Sequence, residues 1–89
     1  MKIIYTKSSS SLEAKTKVRE GLRGHPKLGQ FIKSIEENKL SLIAKGDGVT
    51  VEILFHEDHC IVDINLALLM RPFKSKIFHV IERELKEAI

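Results

Sequence analysis

The chain of 89 residues carries 15 basic and 12 acidic side chains, a formal charge of +3 that mildly favours an anionic partner, and its length suits one small domain over residues 1–89. A hydrophobic share of 43% beside 30% charged residues excludes a disordered chain, and the lack of a long uncharged apolar run excludes a membrane-spanning helix. The apolar stretch at Ile3-Ile4-Tyr5 is too short for a secretory leader and the single cysteine, Cys60, cannot close an internal disulfide, so a cytoplasmic chain held by burial alone is expected, with a homodimer as one way to enlarge a thin core.

In chain order, residues 2–6 are short and β-branched, as a strand requires. A brief serine run follows. Ser10 and Glu13 have the spacing of a capping box, in which the serine oxygen accepts an orphan backbone N–H and the carboxylate reaches back, so a helix is expected from about Ser11. It should turn Leu12, Val18 and Leu22 inward and break at Gly21, Gly24 and His25-Pro26. A second helical segment should restart at Pro26, because Leu28, Phe31, Ile32 and Ile35 recur at i, i+3, i+4 and i+7.

From residue 39 the period becomes two, with Leu40, Leu42 and Ala44 alternating with polar neighbours as far as the hairpin signal Gly46-Asp47-Gly48. The next strand, residues 49–56, puts Val51, Ile53 and Phe55 on one face. After a turn at Glu57-Asp58-His59, a third strand runs from Cys60 to about Leu69 with Val62, Ile64, Leu66 and Leu68 on one face. Pro72 then takes the favoured first position of a final helix, whose Phe73, Ile77, Val80, Ile81, Leu85 and Ala88 form a broad apolar arc. The order is β-α(broken)-β-β-β-α, an α+β fold with an antiparallel sheet and helices packed on one face.

Three cations, Arg71, Lys74 and Lys76, gather where the last strand gives way to the last helix. Positive charge at a helix N-terminus is unfavourable unless an anion compensates it, so one reading is an anion-binding corner made of these side chains and the free backbone N–H groups. The other is structural: Lys74 falls near the middle of the apolar arc, lays its methylenes on the core and carries its ammonium to water. The turn His56-Glu57-Asp58-His59-Cys60 places two imidazoles beside a thiol, but zinc sites draw their ligands from two separate pairs and only the isolated His25 and His79 remain, so no metal is expected. Cys60 at a strand start reads as a packed small hydrophobe. With no paired carboxylates, phosphate loop or nucleophile–base set, neither catalytic residues nor a cofactor are expected, and the chain does not read as an enzyme. Lys15, Lys17, Arg19, Arg23, Lys27 and Lys33 make the first helical segments basic, a pattern usual for a solvated face. Aromatic residues at 6% leave little for stacking on single-stranded bases.

From the second helix onward, the order helix, three strands, helix resembles double-stranded RNA-binding domains, which set lysines at the start of their last helix against phosphates. Lys74 and Lys76 match in type, whereas the usual Lys-Lys-x-Ala-Lys cluster is missing and the N-terminal strand is additional. A closer resemblance covers residue 39 to the C-terminus, "KLSLIAKGDGVTVEILFHEDHCIVDINLALLMRPFKSKIFHVIERELKEAI". The strand, glycine turn, two alternating strands, "LALLMRPFKSKI" junction and Ile81-Glu82-Arg83-Glu84-Leu85 resemble the small bacterial family of polyhydroxyalkanoic acid system proteins. Ser11-Leu12 and Ala14 fit its helix start, while residues 21–38 do not align and a tryptophan before the second strand is absent. The resemblance implies a bacterial cytoplasmic protein associated with polyester storage granules, and brings no catalytic mechanism or ligand with it. Two function classes follow. A noncatalytic accessory protein would bind a partner protein or a granule surface and expose an apolar patch, or cover it in a dimer. The alternative, an anion- or double-stranded-RNA-binding module using Arg71, Lys74 and Lys76, would lose affinity steeply with salt.

Overall fold

The computed structural model describes residues 1–25 and 28–89. Its elements are β1 (Lys2–Ile4), α1 (Ser11–Gly24), a single helical turn α2 (Leu28–Phe31), β2 (Ile32–Glu37), β3 (Ser41–Gly46), β4 (Val49–Phe55), β5 (His59–Leu66), a 3-10 helix (Leu68–Phe73) and α3 (Lys74–Ala88). The strands form one antiparallel sheet in the order β1-β5-β4-β3-β2. The class is α+β, with one strand more than the sequence pattern indicates.

The extra strand is β2, a correction to the helix expected across Leu28, Phe31, Ile32 and Ile35. Ile32 pairs with Gly46, yet Ser34 pairs with Lys45 and Ile35 with Ala44, so Lys33 is an extra residue in a β-bulge. The bulge brings Ile32 and Ile35, three residues apart, to the same side of the sheet, where both pack partly buried on the core. A three-residue apolar spacing inside a strand therefore mimics a helical period. Phe31, expected inside, is exposed. The proposed restart at Pro26, and Lys27, lie outside the described residues, as does the side chain of Leu28. At the sheet edge Lys33 pairs with Asp47 at 2.7 Å, and a bulge with a lysine is a common way to blunt an edge strand.

The start of α1 follows its cap. Ser10 Oγ accepts the Glu13 N–H at 3.2 Å, while the Glu13 carboxylate takes the N–H and hydroxyl of Ser9, one residue earlier than a capping box would place it. The inward face is Ser11, Ala14 and Val18, with Leu22 half-buried; Leu12 is exposed, contrary to expectation. At 100° per residue Leu12 lies about 120° from Val18, and small side chains on the inner face let the helix sit close to the sheet. Hydrogen bonds from the Ser9 side chain and then from Lys17 lower the Glu13 carboxyl to about 2. A depressed carboxyl stabilises the fold above its unfolded value and loses that contribution as pH falls toward the folded one. Between about pH 5 and pH 2, wild type should therefore lose more thermal stability than Glu13→Gln, read from melting curves across the pH series.

The core comprises Ile3 and Tyr5 from the N-terminal segment, Leu42 and Ala44 from β3, Ile53 and Phe55 from β4, Cys60 and Val62 from β5, Ala14 and Val18 from α1, and Leu85 with Ile89 at the C-terminal end of α3. α1 rests on β3 and β4 and α3 on α1 and β1, so both helices lie on the face bearing Phe55 and Val62. The C-terminus is tied down by the N–H groups of Thr6 and Lys7, which donate to the Ile89 carbonyl at 2.9 and 2.8 Å. Burial is complete near the β4–β5 turn and fades toward the β3–β4 hairpin, where Val51 and Ile64 are half-buried. That open end is where β5 leaves the sheet.

Candidate functional site

β5 ends at Leu66, three residues before the strand end expected from the alternation, and Leu68 is not on its inner face. The chain turns into the 3-10 helix, whose N-cap residue Ala67 is tied to the β3–β4 hairpin by one backbone bond and which closes its own first turn by another. The Ala67 N–H donates to the Gly48 carbonyl at 2.8 Å, and the Met70 N–H to the Ala67 carbonyl at 2.8 Å. Gly48 has φ +74°, and a Cβ placed on it would stand 2.7 Å from Met70 Cγ, so the methionine lies over the glycine. With three residues per turn, Leu68 and Leu69 point to other sides of the helix than Met70. They are 74% and 86% exposed, and Phe73 is 54% exposed. No residue of this helix is buried.

Pro72 sits inside the 3-10 helix and not at the first position of α3, which starts two residues later at Lys74. The first turn of α3 has no acidic residue and its N-cap, Phe73, supplies no side-chain hydrogen bond. Arg71, Lys74 and Lys76 are all exposed, and among the described residues none makes an ion pair. Lys74 instead holds its ammonium 5.5 Å from the centre of the Phe78 ring, a cation–π contact with the residue one turn on. Being two residues apart, Lys74 and Lys76 leave the helix in directions about 160° apart. The junction thus exposes apolar and cationic side chains next to one another along the chain. The apolar run Leu68-Leu69-Met70 was the available signal, since three consecutive apolar residues fit neither strand alternation nor one helix face.

Three of the basic residues of α1 are engaged within the chain. Lys15 donates to the Asn38 carbonyl at 2.6 Å and lies 3.6 Å from Glu37, while Arg19 pairs with Glu37 at 3.1 Å, so both tie α1 to the turn between β2 and β3. Lys17 is shared between the Lys7 carbonyl and Glu13. These contacts consume much of the positive face that the sequence places along α1. A shallow groove between α1 and β2 is lined by Leu22, Arg23 and residues 32–35, whose charged members, Arg23 and Lys33, are both cations.

At the β4–β5 turn the imidazoles of His56 and His59 stack with centroids 4.6 Å apart. Nδ1 of His59 lies 2.6 Å from Asp58 Oδ1, and the Tyr5 hydroxyl donates to the His56 carbonyl at 2.8 Å. Cys60 points the other way, fully buried, and burial pushes its thiol up to about 11. Among the described residues no group of three or more His, Cys, Asp or Glu side chains is placed to hold a metal ion. His25 Nε2 lies 3.6 Å from Glu84, and His79 is exposed on α3. Because the thiolate is the reacting form, Cys60 should stay unmodified by an aromatic disulfide reagent at about pH 8 and react fully in denaturant; rapid native labelling would contradict the buried placement.

A family model described as "Putative polyhydroxyalkanoic acid system protein" matches residues 9–89. No curated protein and no solved structure matches the chain.

Proposed function

The chain belongs to the polyhydroxyalkanoic acid system protein family, and from that membership we propose that it is a noncatalytic accessory protein docking on a polyester storage granule through its 3-10 helix. The observation supporting this reading is the exposure of Leu68, Leu69 and Phe73 in one short helix, with exposed Arg71, Lys74 and Lys76 next to them along the chain. Moving a leucine or phenylalanine side chain from water into an apolar phase gains roughly 1.5–3 kcal/mol, so three such residues outweigh a modest cost of orientation. The flanking cations suit the boundary of such a phase, since their stems lie on apolar material while their charges stay in water. No described helix is long and apolar enough to cross a membrane, so the reading is of a chain that lies on a surface. The granule would be cytoplasmic.

The test is adsorption of the purified chain to polyester-coated particles and to double-stranded RNA, each at low and high salt, with Lys74→Ala beside wild type. Particle binding that persists in high salt and survives Lys74→Ala is expected. Salt-sensitive RNA binding that Lys74→Ala removes would replace this reading with an anion-binding one.

A further inference from the structure

The sheet face away from the helices carries an ordered pattern that an isolated chain does not use. Because Cys60, Val62, Ile53 and Phe55 are buried, strand alternation turns His59, Ile61 and Asp63 of β5, and Glu52, Leu54 and His56 beside them, to the outer face. The register sets Ile61 opposite Leu54 and Asp63 opposite Glu52, and the two imidazoles stack beyond them. Three rows result: imidazole, apolar, carboxylate. Two features are unfavourable in a single chain. Leu54, in the apolar row, remains 45% exposed. Glu52 and Asp63 are like charges directly across a strand pair, an arrangement that repels, and among the described residues neither has a hydrogen-bonding or ionic partner.

We propose that this outer face binds a second copy of the chain in an isologous dimer, related by a two-fold axis running between the sheets along the apolar row. That rotation leaves each strand over its counterpart and reverses its direction, so Ile61 and Leu54 meet their own equivalents. It brings His59 over the partner's Asp63 and His56 over the partner's Glu52, so that an imidazole ring faces each unpaired carboxylate, His59 through Nε2 because its Nδ1 faces its own Asp58. A two-fold axis along the strands would instead set carboxylate row on carboxylate row, so charge selects the first arrangement. Aligned sheets pack about 10 Å apart, a gap that side chains of this size fill from both sides. Lys2, opposite Ile61, ends the apolar row at the sheet edge, where its long side chain turns its ammonium into solvent and away from the partner's Lys2. The contact uses none of Leu68, Leu69 or Phe73, so it goes beyond the granule reading and can fail independently of it.

The experiment is sedimentation equilibrium with light scattering, at protein concentrations from about 1 to 500 μM to span ordinary dimer affinities. Wild type should show twice the 10.1 kDa chain mass. Leu54→Asp should raise the dissociation constant about tenfold or more while the far-ultraviolet spectrum and melting curve stay those of a folded chain. Because Glu52 and His56 are exposed, swaps there test the orientation without disturbing the core. Glu52→Lys and His56→Glu should each weaken the dimer, and the double variant, with opposite charges again facing each other, should restore it to within about threefold. A wild type that stays monomeric throughout, a dimer indifferent to Leu54→Asp, or a double variant no tighter than the single ones would each overturn the proposal.

Discussion

Serine at positions 68, 69 and 73 together is expected to abolish adsorption to polyester-coated particles and leave the fold intact. The three native side chains are 74%, 86% and 54% exposed, so their removal opens no cavity and the thermal midpoint should move by only about 3 °C. If about half of each side chain's transfer free energy is realised at the surface, the summed loss is roughly 3 kcal/mol, equivalent to about a hundredfold in affinity. Lys74→Ala should cost only a few fold, because a cation at a solvated rim contributes little. Adsorption isotherms of the Leu68→Ser/Leu69→Ser/Phe73→Ser variant at high salt decide the matter. Wild-type adsorption by that variant would remove the 3-10 helix from the docking surface.

The largest loss of stability among the glycine substitutions is expected at Gly46. Its backbone pairs with Val49 across the hairpin and with Ile32 on β2, and a Cβ there would collide with the carbonyl oxygen of Phe31. The obstacle is backbone, so α2 and the start of β2 would have to move off the sheet just before the Lys33 bulge. Gly46→Ala should cost about 3 kcal/mol, a drop of roughly 12–24 °C for a domain of this size. Gly48→Ala should cost less, about 1 kcal/mol for its positive φ, because the Met70 side chain that a Cβ would meet can rotate away. Denaturant titrations of the two variants compare them directly. If Gly46→Ala proved the milder one, the close approach of Phe31 to β3 would be wrong.

Several elements are legible because their causes are local. The Ser10 cap opens α1 at Ser11, the Gly46-Asp47-Gly48 signal turns β3 into β4, and alternation identifies Ile53 and Phe55 as core. The apolar spacing in residues 31–35 misleads for an equally physical reason. A periodic pattern records which side chains share a face, and a one-residue bulge gives a strand the spacing of a helix. Only pairing with β3 distinguishes the two, and pairing is a non-local property.

The candidate surfaces divide in the same way. Their chemistry can be read from the sequence: Arg71, Lys74 and Lys76 beside apolar Leu68, Leu69 and Phe73, and the alternating polar residues of β4 and β5. Their exposure cannot. An apolar arc on α3 states a preference for burial, but the residues of α3 and its C-cap that reach full burial, Leu85 and Ile89, are at the C-terminal end, while Phe73 at the helix start is exposed. By itself, then, the sequence determined the α+β class, the capped first helix, the hairpin-linked strands and the family resemblance, all of which rest on neighbours in the chain. The tertiary structure decided that β2 joins the sheet, that α1 spends Lys15 and Arg19 on the β2–β3 turn, and that the strand-to-helix junction and outer sheet face stay open, because coverage depends on elements distant in sequence.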